Sequence, residues 1–207
     1  MKTYLAGAAA FAAGLALAAS ANAAVVLSDN FDASVPDQLN WAGDSVFLAT
    51  SPPGSVDLIG AGGSFDFYPG NGSYVDLDGS TGSGNDPAGE ITSILSFGPG
   101  AYTLSFFLGG NARGAPAQTT RVILGDFSTD ITLGSGDGLA LHTFSFTTAS
   151  SGSLIFRELG PSDQQGNILD NISLSVVPEP ASWALMILGF GGMGAMLRRR
   201  QGLRAAA

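Results

Sequence analysis

"AYTLSFFLGG" at residues 101–110 and "LHTFSFTT" at 141–148 repeat with a period of two rather than 3.6. In the first, Tyr102, Leu104, Phe106 and Leu108 share one face. In the second, His142, Phe144 and Phe146 share a face, with Thr143 and Ser145 opposite. "NISLSV" at 171–176 sets Ile172, Leu174 and Val176 against Asn171, Ser173 and Ser175. An apolar side backed by a hydroxyl-bearing side describes a strand with one face in a core and one in water. Shorter runs of the same kind are "SVFLAT" (45–50), "SYVDLD" (73–78), "EITSILSF" (90–97), "TTRVILG" (119–125), "STDITL" (128–133) and "SLIFRE" (153–158). Gly, Pro, Asp or Asn bounds each of them. About ten strands result, with no amphipathic helix between residues 24 and 176. The expected fold is all-β, a two-layer β-sandwich of jelly-roll type. "SPPGSV" (51–56) and "GSTGSGNDPAG" (79–89) read as exposed loops.

Charge is segregated along the 207 residues, whose net charge is -9. Arg198, Arg199, Arg200 and Arg204 lie at one end and Lys2 at the other. Only Arg113, Arg121 and Arg157 remain for the middle, which holds about a dozen surplus negative charges. Such a surface repels phosphate backbones and argues against nucleic-acid binding. The chain has no cysteine, which excludes disulfides, thiolate catalysis and cysteine-ligated zinc.

Both ends read as processing signals. Lys2, the apolar stretch 5–19 and the small-x-small site Ala21-Asn22-Ala23 make residues 1–23 a secretory signal peptide cut after Ala23. Residues 177–207 form a separate C-terminal segment. Pro178 and Pro180 stop the preceding strand. An uncharged run over 181–197 follows, spanning roughly 25 Å as a helix, close to a hydrocarbon core. Trp183 stands at one rim, and Arg198, Arg199 and Arg200 form a positive stop at the other. A transmembrane helix is therefore expected here, and a signal-peptide helix at the start.

"VPEPASWALMILGFGGMGAMLRRR" (177–200) resembles the PEP-CTERM sorting signal in its PEPxxWA variant, a region also labelled ice-binding-protein C-terminal domain. The resemblance covers about the last thirty residues. It implies a Gram-negative exporter and an exosortase, an integral-membrane enzyme that acts on Pro178-Glu179-Pro180. It also implies a membrane-held intermediate, then the cell envelope, outer surface or extracellular matrix, among exopolysaccharide or biofilm. Exosortase and export machinery are the implied partners. The middle is similar to carbohydrate-binding-module-like, galactose-binding-like jelly rolls in "FDFYPGNGSYVDLDGSTG" (65–82) and "ILDNISLSVVPEP" (168–180). By that likeness "YVDLDG" is an inner strand, and "LDNISL" is the last strand, returning beside the first.

Among candidate site residues, Asp170 shares strand parity with Ile172, Leu174 and Val176 and is expected to point inward. A buried carboxylate needs partners. One set is a structural calcium ion shared with Asp29 and Asp32, which related jelly rolls often hold at this place. The other is backbone N–H groups or Arg157. Asp76, Asp78 and Asp86 could form a looser calcium loop, although Tyr74 and Asn85 break the EF-hand pattern. Trp41 and Tyr68 are candidate sugar-stacking residues, with Tyr74 and Tyr102 as further aromatics. His142 lies mid-strand beside Phe144 and Phe146, a core or half-buried location rather than that of a catalytic base. No GxSxG or HExxH motif occurs. The expected role is non-enzymatic and structural or adhesive. A polysaccharide-binding module is the alternative, and a two-carboxylate glycan hydrolase the second.

Overall fold

The structure, a computed structural model, describes residues 23–49, 53–82, 84–177 and 188–196. Residues 24–177 form one compact unit. Its strands are β1 (Ala24–Asp29), β2 (Phe47–Ala49), β3 (Asp57–Gly60), β4 (Ser73–Asp76), β5 (Glu90–Phe97), β6 (Gly100–Gly109), β7 (Gln118–Leu124), β8 (Phe127–Leu133), β9 (Ala140–Thr148), β10 (Gly152–Leu159) and β11 (Ile168–Val176). They build two antiparallel sheets, one ordered β3-β4-β11-β6-β9 and the other β2-β5-β10-β7-β8. In the first sheet β6 lies along one side of β11. The other side is shared by β4, opposite Ile168 and Leu169, and by β1, opposite residues 172–176. "YVDLDG" therefore begins in an inner strand, and the last strand does return beside the first.

The alternating runs supply the core because each turns its apolar face inward. Leu104, Phe106 and Leu108 of β6 meet Val122 and Leu124 of β7, Phe156 of β10, and Ile172 and Leu174 of β11. Phe106 packs edge-on against Phe156 at 5.0 Å, and His142 stacks on Phe106 at 5.7 Å. The single histidine is thus half-buried against the core.

Three strands lack the alternation that marks the others. β3 and β4 are buried at every position, and β1 carries a bulge between Val25 and Leu27. "SPPGSV" is not all exposed: Ser55 and Val56 are buried against the turn that follows β4. The Gly79 N–H donates to the Ser55 carbonyl, and a Cβ on Gly79 would lie 2.6 Å from Asp57 Oδ1 and 2.7 Å from the Val56 backbone carbon. Only glycine allows this approach.

A second, smaller apolar cluster lies on the outer face of the first sheet. Ile59, Tyr74 and Ile168 form it, and Phe67, Tyr68 and Leu139 cover it. The β3–β4 connection, residues 61–72, thus folds back over its own sheet.

Outside this unit, residues 188–196 are helical, with Leu188, Phe190, Met193 and Met196 exposed. No helix among the described residues is long and apolar enough to cross a membrane. The described helix is shorter than the expected 181–197 span, whose remaining positions, like the leader 1–22, lie outside the described residues.

Candidate functional site

Three polar or aromatic features stand out on the sandwich. The first is the 61–72 connection. Asp66 Oδ2 accepts the Gly62 N–H at 2.9 Å, and Asp66 Oδ1 accepts the Tyr74 hydroxyl at 3.0 Å. Asp37 accepts the Ser64 N–H at 2.8 Å. The Tyr68 hydroxyl donates to the Gly110 carbonyl at 2.5 Å, with the Asp137 carbonyl at 3.0 Å. These bonds pin the connection to β4, to Asp37 and to the carbonyls of Gly110 and Asp137. Phe65, 39% exposed, lies 6.5 Å from Phe67, and the Arg113 guanidinium sits 4.8 Å above the Phe67 ring.

Of the expected sugar-stacking pair, Tyr68 is in this connection, half-buried and edge-on to Tyr74. Trp41 is not. It is 3% exposed and packs edge-on against Phe31 at 5.8 Å, while its backbone N–H donates to the Val56 carbonyl. That bond lays residue 41 along β3 and carries the indole into the core, leaving no open face for a sugar. Tyr74 and Tyr102 are also core. Phe65 and Phe67 were missed in the sequence. The signal was "FDF", three positions of alternation in a segment without strand character.

The second feature is an acidic seam. Asp170 stands where β11 passes from its pairing with β4 to its pairing with β1. Its register partner is Phe107, whereas Leu104 and Leu108 on the opposite face of β6 meet Leu174 and Leu169. A one-residue bulge follows at Asn171, whose φ is +50°. Asp170 therefore belongs to the outer face with Ile168, and the parity argument that pointed it inward fails at the bulge. It is nonetheless 0% exposed. The Asn171 N–H and side-chain amide donate to it at 2.6 and 2.9 Å. Arg157 is not its partner, being paired with Glu90 on the outer face of the other sheet.

Burial pushes the Asp170 carboxyl up to about 7 against the Asn171 bonds, and the negative charges of Asp32 and Asp29 push the same way. Burial, with Asp44 beside it, pushes Asp29 up to about 6, and Asp29 Oδ2 is buried with no hydrogen-bond partner. Asp32 Oδ1 accepts the Ser73 N–H at 2.8 Å, tying the seam to β4. Among the described residues no group of three or more acids or histidines forms a ready metal cluster. An orphaned carboxylate oxygen amid mutually repelling acids nonetheless suits a hard cation with oxygen ligands.

The third feature is the pair of acids in "YVDLDG". Asp76 Oδ1 accepts the N–H groups of Asp78 and Gly166 at 3.0 and 2.9 Å, while Oδ2 pairs with Arg113. Burial raises the Asp76 carboxyl, and Arg113 with the Asp78 N–H pulls it back. Asp78 Oδ1 accepts the Ser162 hydroxyl at 2.7 Å. Asp78 Oδ2 accepts the N–H groups of Asp163 and Gln164 at 2.7 and 2.8 Å. Asp78 spends both oxygens fastening the β10–β11 connection, residues 160–167, while Asp76 divides its own between Gly166 of that connection, the Asp78 N–H and Arg113. Asp86 adds its backbone carbonyl to the same connection, bonded by the Ser162 N–H at 2.8 Å.

The sorting residues Pro178, Glu179, Pro180, Trp183, Arg198, Arg199 and Arg200 and the cleavage residue Ala21 lie outside the described residues; Ala23 is exposed. Residues 176–200 match the PEP-CTERM protein-sorting motif. No curated protein matches the sequence. Among solved structures, the K1 cleaved adhesin domain of Lys-gingipain from Porphyromonas gingivalis W83 is similar at a TM-score of 0.50. It shares 14% identity, over 73% of this chain and 98% of that one. The CBM22-1 xylan-binding domain from Paenibacillus barcinonensis Xyn10C gives a TM-score of 0.47 and 13% identity, over 78% of this chain and 99% of that one. The adhesin domain shares the fold, and at this identity the likeness extends no further. The chain thus carries a PEP-CTERM protein-sorting motif, which implies exosortase processing and a place at the cell surface, behind a jelly-roll β-sandwich.

Proposed function

We propose that the protein is a non-enzymatic component of the envelope or extracellular matrix, exported through its leader, held by its tail, and adhesive through its sandwich. One observation carries this reading. The body closes at its own boundary: β11 ends at Val176, and the Val177 N–H donates to the Ala101 carbonyl at 2.8 Å, next to Pro178. The described core residues all lie between Val26 and Val176, so an exosortase acting beyond residue 177 would leave them in place. Replacing Pro178-Glu179-Pro180 with alanines tests this. Unprocessed precursor should accumulate in the membrane fraction, as it should in cells lacking the exosortase. Unchanged processing in both would refute it.

The adhesive role is best served by the Phe65–Phe67 rim, where an exposed aromatic stands on a connection pinned by hydrogen bonds. A pyranose ring offers the C–H face that an aromatic face accepts. The proposed ligand is a neutral polysaccharide of the matrix, and retention on immobilised glycans, reduced in Phe65→Ala, is the test. Asp29, Asp32 and Asp170 are proposed to hold a structural calcium ion that joins β1 to β11. Hydrolysis is disfavoured because His142 is stacked on Phe106, and because Asp76 and Asp78 are saturated by N–H, hydroxyl and guanidinium donors.

A further inference from the structure

Glu158 stands near the end of β10 on the strand face that Leu154 and Phe156 turn into the sandwich, and it is 3% exposed. Its register partner on β7 is Thr120, whose hydroxyl donates to Glu158 Oε2 at 2.8 Å. The same hydroxyl oxygen accepts from Asn167 Nδ2 at 3.0 Å, and Nδ2 also reaches the Gln118 carbonyl at 3.3 Å. The amide orientation is thereby set, with Nδ2 occupied and Oδ1 the other atom. The nearby Asn167 backbone N–H draws the Glu158 carboxyl back toward its ionised form. Two buried oxygens remain without a donor, Glu158 Oε1 and Asn167 Oδ1. With Glu158 ionised both are acceptors, and neither can satisfy the other.

The charges around Glu158 argue against an anion. Asp78, after β4, and Asp163, in the β10–β11 connection, both repel it. Among the described cations, Arg113 is held by Asp76. On β7 the neighbouring charge is Arg121, paired with Asp130, and on β5 it is Glu90, paired with Arg157. Arg121, Arg157 and Glu90 share one cross-strand row on the sheet's outer face, because Arg157 follows the inward Phe156.

We propose that Glu158 is the neutral acid in the folded protein and that its Oε1–H donates to Asn167 Oδ1. One proton then satisfies both orphaned oxygens and closes a ring through Thr120. It makes the ring a latch that fixes the 160–167 connection to β7. Loss of the proton leaves Asn167 Oδ1 unpaired and adds a negative charge beside Asp78 and Asp163, which hold the same connection.

Burial, acting with those two acids, pushes the Glu158 carboxyl up to about 7 from its ordinary 4.5. The sign follows. A proton bound more tightly by the folded state gives stability that is complete below the unfolded value and lost as pH rises through the folded one.

Glutamine places an N–H where the neutral acid has its O–H. In the full chain, the folding constant of Glu158→Gln should equal that of the parent near pH 4.5 and exceed it more than tenfold by about pH 7. A variant less stable than the parent throughout, or a ratio that does not change with pH, overturns the latch. A measurement on the unsubstituted chain is independent of any folding defect. The Glu158 carboxyl carbon, followed by NMR, should titrate more than one pH unit above an ordinary glutamate. A midpoint at or below the ordinary value refutes the neutral acid.

Discussion

Ala24 and Val176 are cross-strand partners, the first residue of β1 against the last of β11. Leader and tail therefore join the sandwich on neighbouring strands at one end of the first sheet. The described core residues all lie between them. A chain cut to residues 24–177 is expected to unfold in a single cooperative transition, with a denaturation midpoint matching that of the full chain. Cutting back through Ile172 and Leu174 should abolish folding, because both are core. Circular dichroism melts distinguish the two outcomes.

Trp41 and Phe65 should respond oppositely to truncation. Trp41→Ala opens a cavity beside Phe31 and Phe47 and is expected to destabilise the fold by about 3–5 kcal/mol. Phe65→Ala removes a solvent-facing ring and should stay within about 0.5 kcal/mol of the parent. If the rim binds glycan, Phe65→Ala loses about tenfold in affinity, roughly 1.4 kcal/mol. Denaturant titration and glycan retention, run on both variants, separate folding from binding.

Asp78→Ala strands one hydroxyl and two N–H donors of the 160–167 connection. A loss of about 3–5 kcal/mol is expected, since donors made for a charged acceptor would be left unpaired. Asp78→Asn should recover part of it, because an amide keeps only one accepting oxygen. Faster amide exchange at Asp163 and Gln164 would localise the damage.

The acidic seam makes stability depend on pH and on cations together. Asp29 and Asp170 rise to about 6 and about 7 from the ordinary 3.8. Without a cation, their contribution is complete below about 3.8 and lost as pH rises through 6 to 7. With chelator present, the melting temperature should fall between about pH 4 and pH 7, and less steeply in Asp170→Asn. Calcium should raise it at pH 7 far more than at pH 4, where the carboxyls are protonated. A melting temperature indifferent to calcium at pH 7 counts against the site.

Most of the strands legible in the sequence have one wet face. β6, β9 and β11 alternate over eight residues or more, and alternation is what a half-buried strand must show. β3 escaped because "DLIG" is short and buried at every position, whereas β4, equally buried, was read from the longer run "SYVDLD". Trp41 was misplaced because an isolated aromatic in a connection has no periodicity; only the bond to Val56 reveals where it goes. Asp170 was misassigned by one inserted residue. The clue was Asn171, a residue type that accepts positive φ where a β-branched one would not. Glu158 was readable, since "SLIFRE" puts it on the inward parity with Leu154 and Phe156. An acid at a core position is the kind of local contradiction that marks a strained or working site.

The strand that leads into the tail is flanked on both sides, by β6 along its length and by β4 and β1 in succession. Tension arriving through residue 177 runs along this strand, parallel to its neighbours. The ladders on either side are then loaded in shear, and many bonds must yield at once instead of unzipping singly. If the chain is held through its tail, drag at a cell surface in flowing water would load both ladders of this strand together.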